Sequence, residues 1–124
     1  MATIVLIEDE TALQRTLAAA LKDAGHTVVT ASDGAAGLAL AREHKPDAVI
    51  LDLILPKMDG FSVLEALKKD KTTAHIPVVV LTNLEGPEDV ERVVGLGATT
   101  YLVKANYDLS DVVNKVEEVL PRAQ

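Results

Sequence analysis

Four short apolar runs in this chain end on residues equipped for phosphate or metal chemistry. Thr3-Ile4-Val5-Leu6-Ile7 is followed by Glu8 and Asp9, and Ala48-Val49-Ile50-Leu51 by Asp52. Val78-Val79-Val80-Leu81 leads to Thr82, and Tyr101-Leu102-Val103 to Lys104. The runs are apolar and rich in β-branched residues, the pattern of strands buried on both faces of a parallel sheet. In open α/β sheets, ligands gather at the carboxyl ends of the strands. Three carboxylates, one hydroxyl and one ammonium would then share one rim, a set suited to a divalent cation and a phosphoryl group. One such position alone is more readily a solvated loop residue or a helix cap. Four strand ends with compatible chemistry reverse that balance.

Helical patterns separate the runs. Thr11 with Gln14 has the form of a capping box, and Leu13, Leu17 and Leu21 recur at helical spacing until Gly25. His26 to Ala31 reads as a strand, and Asp33-Gly34 opens a small-residue helix to about Glu43. Lys45-Pro46-Asp47 turns into the strand before Asp52, and Asp59-Gly60 leads to a helix carrying Leu64 and Leu67. Pro77 suits the first position of a strand. Pro87 with Glu88 and Asp89 marks a helix start, with Val90, Val93 and Val94 expected on its buried side and Gly97 at its end. A last helix begins near Asp108 to Ser110 and should bury Leu109, Val112, Val113, Val116 and Leu120. Five βα units in succession predict an α/β fold, an open parallel sheet with helices on both faces.

Composition narrows the function classes. At 124 residues, the chain (1–124) is expected to form a single domain. A net charge of −7 argues against direct nucleic-acid binding, which relies on clustered Lys and Arg. The interrupted run Lys68-Lys69-Asp70-Lys71 reads as a solvated helix end. No apolar stretch approaches ~20 residues and no secretory signal is visible, so no membrane association is expected. The absence of cysteine removes disulfide and thiolate chemistry and fits a cytoplasmic location. His26, His44 and His75 are scattered, while Asp33, Asp47 and Asp59 are better explained as caps or turns than as site residues.

The pair Glu8-Asp9, the segment Asp52-Leu53-Ile54-Leu55-Pro56-Lys57-Met58-Asp59-Gly60, Thr82, and Tyr101-Leu102-Val103-Lys104 together resemble the receiver domain of bacterial two-component response regulators. The resemblance spans essentially the whole chain, in the family's order. It implies a flavodoxin-like (βα)5 three-layer sandwich with strand order 2-1-3-4-5. It also implies a phosphoacceptor aspartate at Asp52, since a carboxylate can attack phosphorus to give an acyl phosphate. A Mg²⁺ ion would be held by Glu8, Asp9, Asp52 and the backbone carbonyl of Ile54. Lys104, the Thr82 hydroxyl and the Asn83 N–H would share the charge on the phosphoryl oxygens. The implied donor is a sensor histidine kinase or a histidine phosphotransfer protein. By the same likeness, Tyr101 would turn inward as Thr82 is drawn to the phosphoryl group, altering the surface of the fourth helix, fifth strand and fifth helix for a downstream protein or a homodimer. The module would assist its own phosphorylation and dephosphorylation without being an enzyme in the ordinary sense.

The chain departs from the family pattern where the lysine is followed by Ala105 in place of a proline, often cis in the family. The loop Ala105-Asn106-Tyr107 should therefore be strained or take another path. Asn83 replaces a common alanine, and Ile54 and Leu84 set apolar bulk beside the site, where it would hinder a hydrolytic water. Three alternatives compete. An aspartate-nucleophile phosphatase of the haloacid dehalogenase type needs an Asp two residues after the first, where Ile54 stands. A degenerate receiver acting only as a binding module should lack the acceptor or the acidic pair, and both are present. A nucleotide binder needs a glycine-rich loop after the first strand, and none follows.

Overall fold

A computed structural model describes residues 2–121. Five strands, β1 (Thr3–Ile7), β2 (Thr27–Ala31), β3 (Ala48–Leu51), β4 (Val78–Thr82) and β5 (Thr100–Val103), form one parallel sheet in the order β2-β1-β3-β4-β5. The helices are α1 (Thr11–Asp23), α2 (Gly34–His44), α3 (Gly60–Lys69), α4 (Pro87–Gly95) and α5 (Leu109–Val119), with a short 3₁₀ turn over Lys104–Asn106. This is the expected flavodoxin-like arrangement.

The alternation of side chains along each strand divides the core into two layers. Val5 and Ile7 of β1, with Val49 and Leu51 of β3, pack against Leu38 and Ala41 of α2 and Val63, Leu64 and Leu67 of α3. Ile4 and Leu6, with Ile50, Val79 and Leu81, pack on the other face against Leu17 and Leu21 of α1 and Val112 and Val116 of α5. Because both faces are covered, β3 and β4 are buried at every residue. Ile7 pairs with Leu51 and Thr82 with Val103, so the residues that follow β1, β3 and β5 emerge close together on one edge.

Several local expectations hold. Asp33 accepts from the Ala36 N–H and Asp59 from the Ser62 N–H, as N-caps of α2 and α3. Asp47 accepts from the Thr3 N–H, and Asp108 with Asp111 forms a capping box at α5.

Others are corrected. The first helix is capped by Glu10, without a side-chain bond, and Thr11 is already helical. Gln14 is diverted from capping because its amide donates to the carbonyls of Glu8 and Ala31, groups at the ends of β1 and β2. His26 precedes β2 and does not belong to it. Val94 lies on the open side of α4 at 59% exposure, while Val93 is fully buried. Successive helical residues are about 100° apart, so both cannot face the sheet. Lys68 is no solvated helix end: its ammonium donates to the carbonyls of Ala74 and Ile76, and burial lowers its pKa. Of the two outcomes expected for the loop after Lys104, the structure shows the other path, a 3₁₀ turn with trans peptide bonds throughout the described residues.

Candidate functional site

Glu8, Asp52 and Thr82 are polar side chains carried to the edge of an apolar sheet, and all three are buried. Asp52 is held through its own backbone, whose N–H donates to the Ile7 carbonyl at 3.1 Å, and Glu8 likewise through the Ala31 carbonyl at 3.0 Å. The turn after Asp52 is tight. Its Oδ1 accepts from the Ile54 N–H at 3.3 Å. A Cβ on Gly60 would lie 2.2 Å from the Asp52 carbonyl oxygen, so α3 can start this close to β3 only with glycine there.

Lys104 organises the charge. Its Nζ lies 2.9 Å from Asp52 Oδ2 and 2.9 Å from Glu8 Oε1, with Glu10 Oε1 at 3.3 Å. Burial works against the ammonium, but the bonds to Glu8 and Asp52 outweigh it and raise the Lys104 pKa above its ordinary value. Burial raises the Glu8 pKa, with the Asp52 charge adding to it and Lys104 opposing. Carboxylate oxygens of Glu8, Asp9 and Asp52 lie within 4.8 Å of one another. A cluster of hard carboxylate oxygens suits Mg²⁺ or Mn²⁺. The structure thus brings Glu8, Asp9, Asp52 and Lys104 together. The Ile54 side chain stands exposed beside them.

Thr82 closes β4, and its hydroxyl lies 3.5 Å from the Leu84 N–H. On the neighbouring strand Tyr101 is half-buried, and its hydroxyl donates to the Leu84 carbonyl at 2.7 Å. Burial, helped by the charges of Asp89 and Asp52, raises the Tyr101 pKa and keeps the phenol a donor. The ring packs against the core layer that faces α2 and α3, with its hydroxyl on the loop that follows β4.

Sequence reasoning missed Glu10. A third acid at a helix start is ordinarily a solvated residue, and nothing local points to a lysine 94 positions away. The only available signal was that Glu10 makes a poor N-cap.

Known proteins share this fold. The family model for the response regulator receiver domain matches residues 4–117. A DNA-binding dual master transcriptional regulator of Synechocystis, RpaA, is 39% identical over 98% of this chain, which spans 50% of that protein's length. The structure of the Vibrio cholerae chemotaxis protein CheY4 superposes with a TM-score of 0.89 at 30% identity, covering 97% of this chain and 99% of that one. The Mn²⁺-bound form of the response regulator Rcp1 superposes with a TM-score of 0.82 at 31% identity, over 98% and 100% of the two chains. With the family model matching residues 4–117 and the sheet in the order β2-β1-β3-β4-β5, the chain belongs to the response regulator receiver domains.

Proposed function

We propose that this chain is a single receiver unit, 1–124, that accepts a phosphoryl group on Asp52 from the phosphohistidine of a sensor histidine kinase or histidine phosphotransfer protein. A carboxylate oxygen of Asp52 forms the new O–P bond as the donor's N–P bond breaks, and the imidazole keeps the electron pair. Return to the resting state is the reverse balance with water: the water oxygen bonds to phosphorus, the acyl O–P bond breaks, and carboxylate and inorganic phosphate result. The single observation that carries this reading is the Lys104 ammonium 2.9 Å from both Asp52 and Glu8, beside the carboxylate cluster. It gives the phosphoryl oxygens a fixed counter-charge where transfer demands neutralisation more than covalent help.

Asp9, Asp52 and the Ile54 carbonyl would hold a Mg²⁺ ion, with Glu8 contributing through water or charge. The Mn²⁺-bound relative supports a divalent site in this family. When bound, the ion supplies further neutralisation of the phosphoryl oxygens. The Thr82 hydroxyl and the Asn83 N–H, at the end of β4, would meet the same group. Ile54 and Leu84 crowd the approach of water and favour a longer-lived acyl phosphate. Tyr101 passes the change to the face of α4, β5 and α5, for a downstream protein or a second copy of the chain. No described helix is long and apolar enough to cross a membrane, and a cytoplasmic site of action fits a kinase donor.

Intact mass after incubation with acetyl phosphate and Mg²⁺ tests this. One phosphoryl group should be gained, and the gain should vanish in Asp52→Asn and in EDTA. A gain that persists in either would overturn the assignment.

A further inference from the structure

Lys104 has more carboxylate partners than the phosphoryl reading requires. An ammonium carries three N–H bonds, and three carboxylates surround this one. Glu8 and Asp52 each lie at 2.9 Å with side chains 2% and 5% exposed. Glu10 is the looser partner, at 3.3 Å with a side chain 57% exposed. Glu10 is also misplaced for any local duty. It occupies the N-cap of α1 yet makes no side-chain cap bond. Its backbone N–H donates to Glu8 Oε2 at 3.0 Å, which fixes its position beside the site, and its side chain reaches back across the rim to Lys104.

While Asp52 is still a free carboxylate held beneath the ammonium, Lys104 can meet a phosphoryl oxygen of an incoming donor only if Glu8 or Glu10 lets go. Releasing Glu8 would strand a carboxylate that is almost out of water, a costly change. Releasing Glu10 returns an exposed carboxylate to solvent at little cost. Glu10 also adds a fourth negative charge (with Glu8, Asp9 and Asp52) on the path of an incoming phosphodonor anion.

We propose that Glu10 is the exchangeable partner of Lys104: a positioning residue that holds the ammonium over Asp52 in the resting protein and competes with the phosphoryl group for it. This rests on the reading of Asp52 as the acceptor. Glu10 thereby sets how much anionic donor is needed to load the site. Its competition is direct, through a hydrogen bond that a longer-range charge does not make.

The test is the rate of phosphoryl gain at Asp52, followed by intact mass across a range of acetyl phosphate concentrations at fixed Mg²⁺. Wild type, Glu10→Ala and Glu10→Gln are compared, and urea midpoints confirm folded protein. Glu10→Ala should lower the half-saturating acetyl phosphate concentration by about two- to five-fold, the size of one exposed ion pair. The maximal rate should move less than this, and Glu10→Gln should shift in the same direction by a smaller factor. A half-saturating concentration that is unchanged or raised in Glu10→Ala overturns the proposal, as does a change confined to the maximal rate. If wild type gains phosphate at Asp52 while Glu10→Ala matches it, this inference alone falls. If wild type gains none at Asp52, the acceptor reading falls with it.

Discussion

The Tyr101 hydroxyl donates to the Leu84 carbonyl at 2.7 Å and so ties the edge strand β5 to the loop that leaves β4 just beyond Thr82. Thr82 and Leu84 are two residues apart, and the Leu84 N–H faces the Thr82 hydroxyl. Under the proposed switch, a displacement of Thr82 toward Asp52 would reach the tyrosine through Leu84.

Removing that tie should loosen the loop without removing the acceptor. Tyr101→Phe keeps the ring and deletes the donor, with an expected stability loss of about 0.5–1.5 kcal/mol. Urea denaturation measures the loss. Amide hydrogen exchange should quicken across residues 83–86, while phosphoryl gain at Asp52 persists. Unaltered exchange there would show that the hydrogen bond does not restrain the loop.

The two members of the acidic pair should differ in metal binding. Glu8 already meets Lys104 and the Glu10 N–H with its two oxygens, whereas the Asp9 side chain is exposed and makes no hydrogen bond among the described residues. Isothermal titration with Mg²⁺ should show a larger affinity loss for Asp9→Ala than for Glu8→Gln. Equal or reversed losses would exchange their roles.

Lys104→Met leaves Glu8 and Asp52 buried without their counter-charge. At neutral pH this should destabilise the fold by about 3 kcal/mol, the lower end for a broken buried pair. Added Mg²⁺ should restore part of the loss. The folded-state pKa of Lys104 is raised above 10.5, so its contribution is complete below pH 10.5 and is lost as pH rises through the folded value. Wild type should therefore lose stability at alkaline pH more steeply than Lys104→Met. Parallel alkaline melting curves would contradict the ion-pair account.

Gly60→Ala tests the tight start of α3. The added Cβ would meet the Asp52 carbonyl oxygen at 2.2 Å and Leu53 Cα at 2.5 Å, backbone atoms that cannot swing aside. A loss of about 1–3 kcal/mol is expected, with slower phosphoryl gain because Asp52 itself is displaced. Unchanged urea stability would mean that α3 can start farther out.

The main site residues were legible because each depends on two local signals: where an apolar run ends, and what polar residue ends it. Parallel pairing then brings Glu8, Asp52, Thr82 and Lys104 to one edge without any further information in the chain. What stayed hidden depends on reach. Gln14 bonds to carbonyls at two strand ends, and Glu10 finds Lys104 across the sheet; neither partner follows from sequence spacing. Lys68 was misjudged for the same reason, since its acceptors belong to the loop that leads to β4. Val94 failed differently: a helix lying on the sheet by a narrow stripe buries Val93 and turns its neighbour outward.

The acceptor assignment is tested most directly by locating the modified residue. After incubation with acetyl phosphate and Mg²⁺, borohydride reduces an acyl phosphate to the alcohol, and peptide sequencing by mass spectrometry then finds the altered residue. The account predicts homoserine at position 52 and at no other aspartate. Reduction at Asp9, or an unreduced Asp52 in protein that carries a phosphoryl group, would contradict it.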